Sequence, residues 1–161
     1  MPLTTADLET PVPIVDLDRL ARNLDRAAAY ATAHHLALRP HIKTHKSPRI
    51  ASEQLRRGAV GLTCATPFEA EVMSDVCDDI LVAYPPVGRA RASRLAALPE
   101  TVRLTVALDS MESIDAIAAA ARDADRSIGV YVELDLGMHR VGVPRTADAI
   151  ALAQEVASRG P

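Results

Sequence analysis

The sequence predicts an α/β fold in which a parallel sheet is covered by helices. Short runs rich in Val, Ile and Leu alternate with Ala-rich stretches, and turn residues separate them. The repeat of about 25 residues is that of a β/α barrel or an open doubly wound sheet. No Gly-x-Gly-x-x-Gly follows a run, so the dinucleotide-binding open sheet lacks its main sign. A complete (β/α)8 barrel needs about 250 residues, so a barrel of 161 residues is incomplete.

Six apolar runs are the predicted strands, and a helix is expected after each of them. The runs are residues 13–17, 36–43, 60–64, 79–83, 102–108 and 128–134. Residues that commonly begin helices follow several runs, so we expect helices to start there. These start signals are Asp18, Ser47 with Pro48, Thr66 with Glu69, and Asp109 with Glu112, and the last helix is expected between Pro144 and Ser158.

Composition narrows the class of protein. The net charge of -3 argues against a nucleic-acid partner, because such binders carry a basic excess. No apolar stretch approaches the ~20 residues that span a bilayer, and the first residues lack a signal-peptide pattern. Two cysteines, Cys64 and Cys77, suggest a reducing compartment without a disulfide framework. We therefore expect a cytoplasmic protein with no nucleic-acid or membrane partner.

The most informative stretch surrounds Lys43. In a strand, Arg39, His41, Lys43 and His45 would share one face and point into a barrel at its catalytic, carboxyl end. A lysine buried among cations gives up its proton more readily, which Schiff-base formation requires. The alternative is a solvated basic loop before a helix, and that alternative explains Lys46 better than it explains Lys43.

A metal site at His41 and His45 is not expected. Four strand residues span about 13 Å, whereas both nitrogens would have to lie ~2 Å from one ion. One of the two histidines could instead carry a proton or lie beside a phosphate group. The sequence predicts no metal ligands in this chain.

Residues 39–46, RPHIKTHK, resemble the cofactor-lysine segment of the D-threonine aldolases and D-serine dehydratases. Residues 13–18 look like the opening of this family and of the alanine racemases, and residues 133–142 look like the family's arginine loop. The resemblance implies that Lys43 is catalytic and carries pyridoxal phosphate. It also implies that Arg140 lies near the phenolic oxygen of the cofactor, and His41 is a further expected cofactor contact.

Two departures separate the chain from the racemases of the same superfamily. Racemases follow their lysine with Ala-Asn-Ala-Tyr-Gly, where this chain has Thr-His-Lys, and they commonly carry a lysine where this chain has Glu133. Both departures favour the D-amino-acid lyases. Four further residues lie where they could line the pocket or, like Asp135, orient Arg140: His45, Thr63, Tyr84 and Asp135.

The resemblance implies a lyase that acts on small D-3-hydroxy amino acids, most simply one that converts D-threonine to glycine and acetaldehyde. A D-serine dehydratase-like deaminase, an amino-acid racemase and a truncated, non-catalytic domain that binds pyridoxal phosphate are the alternatives. Residues 1–161 would form the N-terminal part of one alanine-racemase-like barrel domain, with about five barrel strands plus an N-terminal strand.

The rest of the barrel and a C-terminal β domain would then be absent, and a divalent metal is expected only in that domain. An unclosed barrel exposes edge strands. We therefore expect homodimers or other self-association, and weak or no catalysis by the isolated chain.

Overall fold

The computed structural model describes residues 4–160, which form a four-stranded parallel sheet covered by α-helices. This confirms the predicted α/β fold and is consistent with an incomplete (β/α)8 barrel. The strands are β1 (Leu62–Cys64), β2 (Asp79–Val82), β3 (Arg103–Leu108) and β4 (Gly129–Val132). The helices are α1 (Leu17–Ala33), α2 (Pro48–Arg56), α3 (Pro67–Met73), α4 (Arg89–Ala96), α5 (Met111–Asp123) and α6 (Thr146–Ser158).

The strands lie in chain order, and each pairs in parallel with the next. A helix therefore returns the chain after every strand, and all four carboxyl ends meet at one edge of the sheet. The side chains beneath the helices are apolar and almost fully buried, as in Leu62, Ile80 and Val106. No helix among residues 4–160 is both long and apolar enough to cross a membrane.

The predicted strand at residues 13–17 is wrong. The chain there is irregular up to Asp16, whose side chain accepts the Arg19 N–H at 2.9 Å and caps α1 in place of Asp18. Pro13 lacks the N–H that a sheet ladder needs, and Ile14 remains 65% exposed. An apolar run without a strand beside it has nothing to pair with, so its β-propensity is not realised.

The predicted strand at residues 36–43 is also wrong, although its chain runs beside β1. Only His41 forms a bridge, with Thr63, while the carbonyls of Leu38 and Pro40 accept N–H groups from the β1 side at 2.9 and 2.8 Å. Pro40 has no N–H to contribute, and the chain then enters a 3-10 turn at Ile42–Thr44. The alternation of side chains therefore stops at His41.

The amino end of the sheet is closed by Asp79, which is almost fully buried. Its carboxylate pairs with Arg39 at 2.8 Å and with Arg103, and Arg39 also donates to the Asp79 carbonyl at 3.1 Å. Burial would raise the pKa of Asp79, but the two guanidinium groups hold it below its usual range. The predicted grouping of Arg39 with His41 and Lys43 is thus wrong, because Arg39 reaches the opposite end of the sheet.

Candidate active site at the carboxyl edge of the sheet

Lys43 lies in the 3-10 turn at Ile42–Thr44, beyond the carboxyl end of the segment that runs beside β1. The fully buried Ile42 anchors the turn, and its carbonyl accepts the N–H groups of His45 and Lys46 at 3.1 and 2.8 Å. The Lys43 N–H donates to Nδ1 of His41 at 3.3 Å. Lys43 itself is exposed, so the burial expected for it is not found in the described chain.

Lys43 and Lys46 are the two lysines of the sequence, and the structure separates them by environment. The Lys46 Nζ lies 2.9 Å from Oε1 of Glu69, a residue that is only 6% exposed. Among residues 4–160, no carboxylate lies within ion-pairing distance of Lys43. The Lys43 amine is therefore uncommitted, whereas Lys46 is held.

His41 is half-buried beside Lys43 and contributes a neutral imidazole. Burial lowers the pKa of His41, and the positive charge of Lys43 lowers it further, while Glu69 and a contact to the Thr63 backbone act in the opposite sense. Because Nδ1 accepts the Lys43 N–H, the neutral ring carries its proton on Nε2. His41 can therefore offer a hydrogen-bond donor at the carboxyl edge at neutral pH.

His45 is occupied locally. Its Nδ1 accepts the Ser47 N–H at 3.0 Å, and burial lowers its pKa, opposed by the neighbouring Gln54 side chain. Its Nε2 and the Oε1 of Gln54 are both buried, and neither atom has a hydrogen-bond partner within the described chain. His45 thus packs against α2 rather than sharing a strand face with Lys43.

His41 and His45 are separated by the 3-10 turn at Ile42–Thr44, so they do not have the strand spacing on which the exclusion of a shared metal was based. Among residues 4–160, no group of three or more His, Cys, Asp or Glu side chains could hold a metal ion.

Thr63 and Cys64, at the end of β1, differ in exposure from Tyr84, which follows β2. Thr63 and Cys64 are buried, and burial, together with Glu69 and Cys77, raises the pKa of the Cys64 thiol to about 12. A thiol that keeps its proton is a packing group rather than a nucleophile. Tyr84 is 46% exposed and lines an open groove of about 460 Å³ with Phe68. Lys43 is not part of that groove.

Arg140 lies in a closed loop between residues 133 and 143. Leu134 and Val143 bridge the two ends of the loop, and Gly142 donates to Asp109 at 3.0 Å. Gly142 has φ +92°, and a Cβ there would lie 2.7 Å from the backbone nitrogen of Asp135, so the position requires glycine. The predicted cap of α5 at Asp109 is wrong, because Ser110 is the N-cap. The Asp109 carboxylate accepts the Gly142 N–H instead.

Within the loop, the carboxylate of Asp135 accepts three backbone N–H groups. The donors are Gly137 at 2.9 Å, Met138 at 2.9 Å and His139 at 3.1 Å. The first and last of these hydrogen bonds dominate in lowering the pKa of Asp135. Asp135 thus fixes the backbone from which the exposed Arg140 side chain projects.

Glu133, which stands where racemases commonly carry a lysine, is partly buried at the start of this loop. Its Oε2 is buried and has no hydrogen-bond partner within the described chain. Burial raises the pKa of Glu133, the neighbouring Asp109 raises it further, and Arg140 opposes both. Buried polar oxygens normally receive a donor, so this end of the loop can take one from a bound group.

Lys43 and Arg140 both lie at the carboxyl edge but at opposite sides of the sheet. Lys43 follows the segment beside β1, whereas Arg140 follows β4, so β1, β2 and β3 lie between them. At about 4.8 Å per strand, four spacings amount to roughly 19 Å along a flat sheet, and barrel curvature shortens the direct path. The structure therefore places both predicted residues on one edge without bringing them into contact.

Replacing Asp135 with alanine is expected to loosen the arginine loop, because three backbone N–H groups lose their acceptor. Hydrogen exchange at Gly137, Met138 and His139 should accelerate, whereas Asp135→Asn keeps an acceptor oxygen and should change little. Because the folded pKa of Asp135 is depressed, its contribution is present above its ordinary value of 3.8 and is lost only as pH falls below that value. Equal exchange in all three proteins would contradict this role.

The parallel sheet, with a helix after each strand, is consistent with part of a (β/α)8 barrel. The chain belongs to the family described as alanine racemase, N-terminal domain, which it matches over residues 15–160.

Similar proteins include aldolases and a dehydratase of D-amino acids. The chain is 36% identical over 151 residues to a D-threonine aldolase of Arthrobacter sp., covering 93% of this chain and 40% of that protein. It is 34% identical over 151 residues to D-threo-3-hydroxyaspartate dehydratase of Delftia sp. strain HT23, with the same two coverages of 93% and 40%. The crystal structure of D-threonine aldolase from Filomicrobium marinum superposes with a TM-score of 0.90 at 39% identity, covering 95% of this chain and 42% of that one. The chain thus spans about 40% of the curated relatives it matches, and its family resemblance is to enzymes.

Proposed function

We propose that this chain is the N-terminal part of a pyridoxal-phosphate-dependent lyase that acts on small D-3-hydroxy amino acids, and that its reaction resembles the cleavage of D-threonine to glycine and acetaldehyde. The observation that carries the proposal is the difference between the two lysines. Lys43 has a free amine at the carboxyl edge of the sheet, while Lys46 is paired with the buried Glu69. The aldolases and the dehydratase among its relatives support the substrate class.

The described residues fit the cofactor in three ways. Lys43 offers an unpaired amine for its aldehyde, His41 offers a ring N–H, and Arg140 offers a positive charge on a fixed loop. The unpartnered Oε2 of Glu133 beside that loop gives a further acceptor. When bound, pyridoxal phosphate takes up the electrons of a bond that breaks at the substrate Cα.

In the proposed reaction, Lys43 would hold the cofactor through its amine, and its Nζ, when free, would carry a proton to or from the substrate. The neutral His41 stays uncharged beside it, which avoids a second cation next to the lysine. Asp135 keeps the Arg140 loop in one conformation, so that its guanidinium is pre-positioned. Activation of the 3-hydroxyl group would call for a divalent metal, for which residues 4–160 offer no cluster of three or more ligands.

Covalent trapping tests the proposal. The chain is incubated with pyridoxal phosphate, reduced with borohydride and digested with a protease that does not cleave at lysine, and the peptides are weighed. We expect the pyridoxyl group on Lys43. D-threonine added before reduction should lower the label more than L-threonine does, because its amine competes for the same cofactor position. Label on Lys46 alone, or none, would reject the proposal.

A dehydratase reaction is the second candidate function, because a dehydratase is among the relatives at 34% identity. Its product from a 3-hydroxy acid is a keto acid and ammonia, whereas the aldolase course releases an aldehyde and glycine. A product assay with cofactor and divalent metal separates the two. A racemase course is disfavoured by Glu133 and by the residues that follow Lys43.

The same proposal includes self-association of the chain in the cytoplasm. The outer edge of β4 has no neighbouring strand in the described sheet, and Tyr131 on that strand is 59% exposed. Unpaired edges recruit other strands, and a charge on the edge discourages this. Tyr131→Lys should therefore reduce concentration-dependent association in sedimentation velocity. Tyr30→Lys is the control, because Tyr30 is 62% exposed on α1, away from the edge. Equal effects of the two substitutions would argue against edge pairing.

A further inference from the structure

The two lysines lie three residues apart on one short loop, and capture of the cofactor has to be restricted to one of them. The backbone of Lys46 has φ +50°, a left-handed conformation that non-glycine residues rarely adopt. Its N–H donates to the Ile42 carbonyl at 2.8 Å, and its Nζ lies 2.9 Å from Glu69. The turn therefore directs Lys46 towards α3 while Lys43 is left without an ion-pair partner in the described chain.

Glu69 is held as a charged group. Burial pushes its pKa up, but the Ala65 N–H, which donates to Oε2 at 2.7 Å, and Lys46 together keep the pKa below the usual range. Both carboxylate oxygens thus have a donor, and the Glu69 N–H is itself capped by Thr66 at 3.2 Å. A buried carboxylate that loses its counter-ion is destabilised, so Glu69 retains Lys46 strongly.

The chemistry of capture makes this ion pair selective. A lysine nitrogen joins the aldehyde carbon only after its ammonium group has given one proton to solvent, and the carbonyl oxygen then leaves as water. An ammonium ion hydrogen-bonded to Glu69 has no lone pair to offer. Lys46 is 65% exposed, so burial alone would not protect it from an aldehyde.

We propose that Glu69 is a specificity residue for cofactor capture: it holds Lys46 as a paired ammonium ion and so leaves Lys43 as the more reactive lysine. The biological use of this selectivity rests on the proposed function, whereas the difference in reactivity between the lysines does not. Glu69 acts through Lys46 and is therefore a positioning residue.

Reductive methylation with formaldehyde and cyanoborohydride measures the difference without the cofactor. In the unmodified chain, Lys46 should react more slowly than Lys43, by about two- to fivefold for a pair whose lysine is 65% exposed. Glu69→Gln should bring the Lys46 rate close to that of Lys43. The pyridoxyl label, expected mainly on Lys43 in the unmodified chain, should then be shared by both lysines. Glu71→Gln is the matched control, because Glu71 lies on the same helix but pairs with Arg94.

Equal methylation rates for Lys46 with and without Glu69 would overturn the inference. If Glu69→Gln does not fold, Glu69→Asp shortens the carboxylate arm by one methylene, keeps the charge and should release Lys46 in the same assay. Absence of a pyridoxyl label on Lys43 in the unmodified chain would count against the proposed function, while the methylation rates would still decide the role of Glu69.

Discussion

Replacing Lys43 with arginine is expected to abolish covalent capture of pyridoxal phosphate. A guanidinium group keeps the positive charge but has no amine that can join an aldehyde at neutral pH. Capture at this position should fall by at least about a thousandfold, the scale expected of a group that acts as both nucleophile and proton carrier. The measurement is the pyridoxyl label after borohydride reduction, with mass analysis of each labelled peptide.

Lys46→Arg is the control for this substitution. Arginine can maintain the ion pair with Glu69, so the label on Lys43 should persist at the level of the unmodified chain. Because Lys43 is exposed and has no ion-pair partner in the described chain, Lys43→Arg should also leave thermal stability unchanged. Label that survives Lys43→Arg and vanishes with Lys46→Arg would reverse the assignment of the two lysines.

The part of the fold that sequence patterns predicted well is the sheet. The runs that became β1 to β3 are apolar and mostly buried on both faces, which agrees with their β-propensity, whereas β4 is exposed on one face. The helix starts at Ser47 and Thr66 were also correct, since a side-chain oxygen there caps the first turn. In these places, local preference and tertiary packing point to the same structure.

The two strands that failed did so for a reason that composition cannot reveal. Residues 13–17 have strand-like side chains but no partner strand in the described chain, and Ile14 stays largely exposed. Residues 36–43 contain Pro40, which removes a ladder N–H, and then the turn at Ile42–Thr44. Alternation counted across such a turn assigns side chains to the wrong face, which is how Arg39 was grouped with Lys43.

The candidate site was predicted in part. Motif resemblance identified Lys43 and Arg140, and both lie at the carboxyl edge, although their roles stay predictions. The pairing of Lys46 with Glu69 was missed, because the motif from Thr66 to Glu69 was interpreted only as a helix cap. A carboxylate that caps through one oxygen and pairs through the other cannot be recognised without the tertiary fold.

Asp79→Ala is expected to have the largest effect on stability, with no effect on cofactor capture. Asp79 is almost fully buried at the amino edge, and its removal leaves the guanidinium of Arg39, 24% exposed, without a counter-ion. Breaking the pair with Arg39 should cost about 2–3 kcal/mol of folding free energy. The second pair adds little to this cost, because Arg103 is exposed. The Tm should fall by roughly 5–10 °C for a chain of this size.

The pH dependence of this effect follows from the lowered pKa of Asp79. A carboxylate with a depressed folded pKa stabilises the fold above its ordinary value of 3.8, and the contribution is lost as pH falls through the folded value. The difference in Tm between the two proteins should therefore be constant near neutral pH and shrink in strong acid. Asp78→Ala, at the exposed neighbouring residue, should leave Tm nearly unchanged.

Cofactor labelling of the Asp79→Ala protein, measured below its Tm, separates the two edges of the sheet. Lys43 and its turn are anchored by Ile42 and by Lys46, at the edge opposite Asp79. The label on Lys43 should therefore match that of the unmodified chain at a temperature where both proteins are folded. A loss of label that parallels the loss of stability would show that the amino edge also positions the lysine turn, because Arg39 lies only four residues before Lys43.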